Sequence, residues 1–217
     1  MVHPGSPVDV RIVSVLGSLA DVSHGRIDAH THVWIQPEPG TPAGGPTLND
    51  PARSLVEIQA FAAAGGTALV DCQPGGAGRD GQKLAWLSQA SGVPIVACTG
   101  FHLRRYYPAD SPLWSRGVDD LTELMVSELD PTLGLEECRD NPQPVTAGFI
   151  KVAIEATLAD SPLAALSAAA DAATTTGAAV QIHTERGAAA AEVVAFFMER
   201  GVTPRQLLVC HIDKRPD

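Results

Sequence analysis

Positive charge is scarce in this chain of 217 residues. Fifteen Lys and Arg stand against twenty-five Asp and Glu, a net charge of −10, and only Lys83, Lys151 and Lys214 are lysines. That balance excludes a broad surface for nucleic acid or anionic lipid, although it leaves room for an isolated basic pocket. Cysteine is equally sparse. Cys72, Cys98, Cys138 and Cys210 lie 26, 40 and 72 residues apart, with no CxxC pair and no dense framework, so reduced thiols in a cytosolic protein are expected. No apolar run approaches the ~18–20 residues of a membrane span. The N-terminus has no lysine, and Asp9 and Arg11 interrupt its run from Val8 to Leu16, so no signal peptide is read there. No low-complexity tail and no repeat beyond an alternation of short and long segments are present.

With 45% hydrophobic and 18% charged residues and a mean hydropathy near zero, the chain can bury a sizeable core as one globular domain. Short β-branched runs alternate with longer Ala- and Leu-rich segments, which is the pattern of βα units around a parallel sheet. Six core strands are predicted: Gly25–His30, Thr67–Asp71, Pro94–Gly100, Ala147–Ala153, Ala178–His183 and Gln206–His211. Val10–Leu16 adds a strand of an N-terminal hairpin within residues 1–24, ahead of the main unit at 25–217. Helices are predicted at Asp50–Ala64, Asp80–Ala90, Val118–Leu129, Ser161–Thr175 and Ala188–Arg200. Asp50-Pro51 and Ser161-Pro162 read as helix starts, and Gly65, Gly177 and Gly201 as stops. Gly and Pro concentrate at Pro37–Pro46 and Gly75–Gly81, which read as loops on one face of the sheet. The fold class is therefore α/β, a (β/α)8 TIM-type barrel with about six βα units present. Such a barrel needs ~250 residues and eight strands to close, and the sixth strand is followed by only six residues. A partial chain is the expectation.

The chemistry concentrates at strand ends. In Ile27-Asp28-Ala29-His30-Thr31-His32, alternation points both imidazoles the same way. Two neutral rings so placed can hold one divalent ion, although a solvated loop pair would read the same. The fourth strand, Gly148-Phe149-Ile150-Lys151-Val152-Ala153-Ile154, carries a lysine inside an apolar run. Burying an ammonium without a partner is expensive, and a neutral amine can add carbon dioxide to become a carbamate able to bridge two cations. A snorkelling or ion-paired lysine is the alternative. His183 and His211 each close an apolar strand. Lys151 to His183 is 32 residues and His183 to His211 is 28, each about one βα unit, so successive side chains come from adjacent strands at the rim where barrel active sites lie.

This ordered set resembles the phosphotriesterase-related branch of the amidohydrolase superfamily. Val13-Leu16-Gly17, Val70-Asp71 with Gly78-Arg79-Asp80, and Thr99-Gly100-Phe101 with Tyr107-Pro108 add to the likeness, which runs from about residue 10 to the end. The resemblance implies a binuclear site, most often zinc, with Mn, Co or Fe as alternatives. His30 and His32 would hold the more buried ion, His183 and His211 the more exposed one, and carboxylated Lys151 would bridge them. A hydroxide between the ions would attack a substrate polarised by the exposed ion. Family members also carry an aspartate after strand eight as ligand and base. Asp213 and Asp217 do not occupy that place, so the base is expected beyond the chain end.

His102 falls where relatives place an aromatic side chain facing the metal pair. Arg186, Lys214 and Arg215 follow metal-ligand positions and could grip an anionic substrate group, or form rim ion pairs with Glu185 and Asp213. Tyr106 and Tyr107 read as loop packing. The implied substrate is a small lactone or carboxylic ester, in some cases anionic, with phosphotriesters as a side activity; a homodimer is compatible with this. A metal-binding fragment without turnover is the rival reading. Deamination or decarboxylation is a third, and the strand-four lysine argues against its mononuclear forms.

Overall fold

The computed structural model describes residues 12–19, 25–139 and 144–214. A hairpin of β1 (Ile12–Ser14) and β2 (Gly17–Leu19) precedes six strands: β3 (Arg26–Thr31), β4 (Gly66–Asp71), β5 (Ile95–Gly100), β6 (Ala147–Ala153), β7 (Val180–His183) and β8 (Leu207–Cys210). These six form one parallel sheet in chain order, with β3 and β8 at its edges. Helices α1 (Pro51–Ala63), α2 (Gly81–Ser91), α3 (Val118–Leu129), α4 (Leu163–Thr176) and α5 (Ala190–Glu199) form the crossovers. The sheet curls as the larger part of a (β/α)8 barrel. None of these helices is long and apolar enough to cross a membrane.

Local chemistry explains most boundaries. The Asp50 carboxylate accepts from the backbone N–H groups of Ala52 and Arg53 ahead of Pro51, and Asp80 accepts from Lys83 N–H, satisfying amides that the first helical turn leaves free. Gly177 ends α4 in the left-handed conformation. One predicted start is corrected. Ser161 does not cap α4, whose N-cap is Pro162; its hydroxyl instead donates to the Thr157 carbonyl and accepts from Glu155 N–H, because the segment before the helix forms its own turn. The last strand also stops one residue earlier than predicted, at Cys210, because His211 turns into a left-handed conformation with φ 65°.

Strand alternation sorts the core. Ile150, Val152, Val180 and Ile182 face α3, α4 and α5, where the small Ala165, Ala168, Ala169 and Ala172 allow close packing. Val96, Cys98, Phe149 and Cys72 pack together on the opposite, inner side, so Lys151 shares that side with Phe149. The hairpin lies against the N-terminal end of the sheet. Val15 N–H donates to the Ile95 carbonyl, and Gly148 admits the Val13 carbonyl, which a Cβ would approach to 2.5 Å.

Arg79 ties three segments beneath the loops. Its guanidinium is buried and donates to Glu128, at 2.5 and 3.1 Å, to both oxygens of Glu137 at 2.7 Å and to the Cys98 carbonyl at 2.5 Å. Burial pushes the Glu137 carboxyl up, but the adjacent guanidinium more than cancels this and holds it below the usual range. Removing one member of such a group leaves a buried charge unpaired. Arg79→Ala should cost about 3–5 kcal/mol in urea unfolding, because Glu128 is only 5% exposed; a loss under about 1 kcal/mol, the worth of a surface pair, would contradict this account.

Candidate functional site

The C-terminal ends of the parallel strands carry the polar groups. His30 lies within β3, and His32 directly follows that strand. The two rings meet edge to face with centroids 5.8 Å apart. Lys151 lies in β6, level with Gly100 of β5 on one side and Gln181 of β7 on the other. Gly100 has φ 102°, and a Cβ there would lie 1.9 Å from the Lys151 carbonyl oxygen; only glycine allows the two strands to approach so closely. His183 ends β7, and His211 follows β8. The left-handed backbone at His211 costs a non-glycine residue roughly 1–2 kcal/mol. With it the ring stands 4.7 Å from His183 and 4.8 Å from His30.

His102, on the loop after β5, brings in a fifth imidazole. It stands 4.8 Å from His183 and 6.5 Å from His32, so the rings succeed one another as His32, His30, His211, His183, His102 and back to His32. Burial is the first cause that drives their affinity for protons down, with the Lys151 charge contributing at each. His30 falls to about 3, His32 and His183 to about 4, and His102 to about 2; His211 is lowered too. Neutral rings at pH 7 present lone pairs.

The lysine amine is buried without a hydrogen-bond partner, as are His30 Nδ1 and His183 Nε2. Orphaned buried nitrogens of this kind are uncommon, and their donor chemistry fits divalent cations. Among the described residues no three His, Cys, Asp or Glu side chains form a single ion's ligand group. The five described imidazoles instead succeed one another in a ring, 4.7–6.5 Å apart.

Neighbouring polar groups orient this set, and of these sequence reading singled out Asp71 but not Gln73 or Gln181. Gln73 Nε2 donates to the Ala77 carbonyl. This fixes its Oε1 toward His32 Nδ1, 2.7 Å away, so His32 carries its proton on Nδ1 and keeps the Nε2 lone pair free. Asp71, whose carboxyl burial raises to about 7, accepts from Val33 N–H just after His32. Gln181 reaches across the interior, donating to the Ala29 carbonyl and accepting from Cys72 Sγ. A Gln after an apolar strand end is common enough in sequence that only the contact reveals its role.

A cavity of about 570 Å³ opens above the rings, bounded by His30, His32, His102, His183 and His211 and by the loop at residues 41–47. Tyr106 and Lys214 also line it. Arg186 is exposed on the neighbouring turn, where Glu185 pairs with Arg105 at 2.7 Å instead. Arg215 lies outside the described residues. Tyr107 is buried against Trp114, whereas Tyr106 forms pocket wall rather than loop packing alone.

A curled parallel sheet with a histidine and lysine rim at its C-terminal edge is the architecture of a barrel enzyme of the amidohydrolase type. The sequence profile described as the Phosphotriesterase family matches residues 11–217, and the chain belongs to that family. It is 30% identical over 227 residues to the phospho-furanose lactonase of Mycoplasmopsis agalactiae, covering 96% of this chain and 62% of that protein. The N-acetyltaurine hydrolase of Bos taurus is 29% identical over 184 residues, covering 83% of this chain and 50% of its own length. Among solved structures, a lactonase from Listeria monocytogenes superposes with a TM-score of 0.81 at 25% identity, covering 96% of this chain and 67% of its own. An amidohydrolase from Mycoplasma synoviae gives 0.79 at 25%, with 95% and 61% covered. The chain spans between half and two thirds of the length of the curated relatives it matches.

The lowered proton affinities predict how the metal-free chain responds to acid. Unfolded histidines titrate near 6.5, whereas these rings stay neutral down to about 3 or 4. Between those values the unfolded chain binds more protons, so stability falls as pH drops. Asp71 acts in the opposite sense between about 4 and 7, but four rings outweigh one carboxyl. The urea midpoint should therefore decline steadily from pH 6.5 to 4; a midpoint that is flat or rises over that interval would contradict the burial assigned to the rings.

Proposed function

We propose that the chain forms the metal-binding part of a hydrolase that opens a lactone or related carboxylic ester. The observation that carries this reading is the ring of imidazoles set around a buried lysine amine with no partner. His30 and His32 would hold one divalent ion, His183 and His211 a second, and Lys151, as its carbamate, would join the two; zinc suits imidazole ligands. When bound, such ions supply Lewis acidity toward a carbonyl oxygen and acidify water. The chain's own groups supply the rest. Gln73 holds His32 in the ligating tautomer, an arrangement worth roughly 10–100-fold in metal affinity. The loop at residues 41–47 and Tyr106 enclose the substrate, and burial keeps the imidazoles free of protons. The names of the lactonase relatives support the choice of lactone over phosphotriester.

Among the described residues Lys214 is the cation on the cavity wall, so an anionic group on the substrate, such as the phosphate of a phosphorylated sugar lactone, would meet it there. Lys214→Ala should raise KM roughly tenfold, the worth of one charge-assisted bond, for a phosphorylated lactone while leaving a neutral lactone unaffected. Equal effects on both substrates would remove Lys214 from recognition.

Loading the chain with zinc or manganese and assaying a lactone panel beside an aryl phosphotriester tests the reaction. Turnover of a lactone supports the proposal; tight metal binding without turnover supports the rival reading of a metal-holding fragment, and retention of no metal defeats both. Lys151→Met gives an independent check. It removes an unsatisfied buried amine, so the metal-free variant should be about 1–3 kcal/mol more stable, yet bind less metal than the parent. A variant that keeps the parent's metal content would rule Lys151 out as the bridge.

A further inference from the structure

Two of the five imidazoles are held in opposite tautomers. His32 is turned by the Gln73 carbonyl so that Nδ1 carries the proton. His102 is held the other way. Its Nδ1 accepts from the Leu103 backbone N–H at 2.7 Å, and an amide N–H can only donate, so this nitrogen holds a lone pair and the ring's proton sits on Nε2. The anchoring is firm. His102 N–H donates to the Tyr107 hydroxyl at 2.9 Å, and Phe101, Leu103 and Tyr107 on either side are all buried. Rotating the ring to free Nδ1 would strand a buried N–H. Deprotonating Nε2 would make an anionic imidazole. Neither suits a metal ligand, although the ring stands 4.8 Å from His183 and lines the same cavity.

We infer that His102 is a catalytic residue of another kind: its Nε2–H donates a hydrogen bond to the substrate's carbonyl oxygen. This rests on the lactone-hydrolase reading above and assigns within it the group that meets the growing negative charge. As the oxygen of water bonds to the carbonyl carbon, the carbonyl oxygen becomes more negative. When that carbon then parts from the ring oxygen, the proton released by water ends on the leaving alkoxide, and a hydroxy acid results. His102 keeps its own proton throughout. A neutral donor placed where charge develops strengthens its bond in the transition state and acts on kcat. Tyr106, 4.7 Å from the His102 ring and edge-on to it, packs beside the donor.

Long-range proton–nitrogen spectra of the histidine rings, recorded on the chain with and without zinc, test the assignment before any assay. A His102 Nε2 that keeps its proton while the other four rings shift on zinc addition supports it; loss of that proton, or a zinc-induced change like that of the ligands, overturns it. The variants His102→Phe and His102→Gln give the second arm. His102→Phe should hold as much zinc as the parent and lose on the order of 10²-fold in kcat, with KM little changed, whereas His102→Gln, which retains an N–H donor, should recover part of that loss. Reduced zinc content in His102→Phe would make His102 a ligand and overturn the inference. A parent chain that turns over lactone while His102→Phe keeps full kcat defeats this inference alone; a parent that turns over no lactone defeats the hydrolase reading beneath it.

Discussion

The architecture depends on one unfavourable group, the amine of Lys151, placed in a sheet where it finds no hydrogen-bond partner. An apolar residue there would fill the same volume without that cost, so the neighbourhood is shaped around the amine. Gly100 gives up a side chain to let β5 run against the Lys151 carbonyl, and Gln181 sits level with it on β7. The histidines then follow from strand geometry. In a parallel sheet, residues at the same level on adjacent strands face the same way, and His183, level with Ala153 two residues beyond Lys151, shares its side.

The electrostatics run in one direction. Burial lowers the proton affinity of every ring, and an ammonium at Lys151 lowers it further. The site is therefore a set of neutral imidazoles beside a buried amine that has no hydrogen-bond partner. In the proposed site, a carbamate at Lys151 would put two-oxygen negative charge among the imidazole lone pairs.

Much of this was legible in the sequence. Strands appeared as short β-branched runs, and several of their ends could be read where the apolar run breaks, at Asp71, Gly100 and His183. Asp50-Pro51 announced α1 by a backbone rule that needs no tertiary contact. The Ser161 start failed for the converse reason, since a serine before proline can satisfy either the helix or the preceding turn, and the turn won. Residues that act by orienting others were not visible. Gln73 and Gln181 are ordinary polar residues until the fold brings His32, Ala29 and Cys72 to them, partners 41, 152 and 109 positions away. Arg186, at φ 56°, is exposed on the turn just past His183, a placement that spacing alone did not disclose.

The cross-barrel contacts explain how a curled sheet keeps its imidazoles in register. β3 and β7 are not neighbours in the sheet, yet His30 on the first must approach His211, beyond β8, while His183 closes β7. Lateral hydrogen bonds fix each strand only to the next, so any change in curvature accumulates across the sheet and would move His30 away from its partners. Gln181 removes that freedom by holding β7 directly to the Ala29 carbonyl, one residue before His30, and to Cys72 at the end of β4. Its amide is buried and engaged at both ends, so releasing either bond strands a polar group inside the protein. The interior thus sets the curvature, and the curvature sets the distances between the imidazoles.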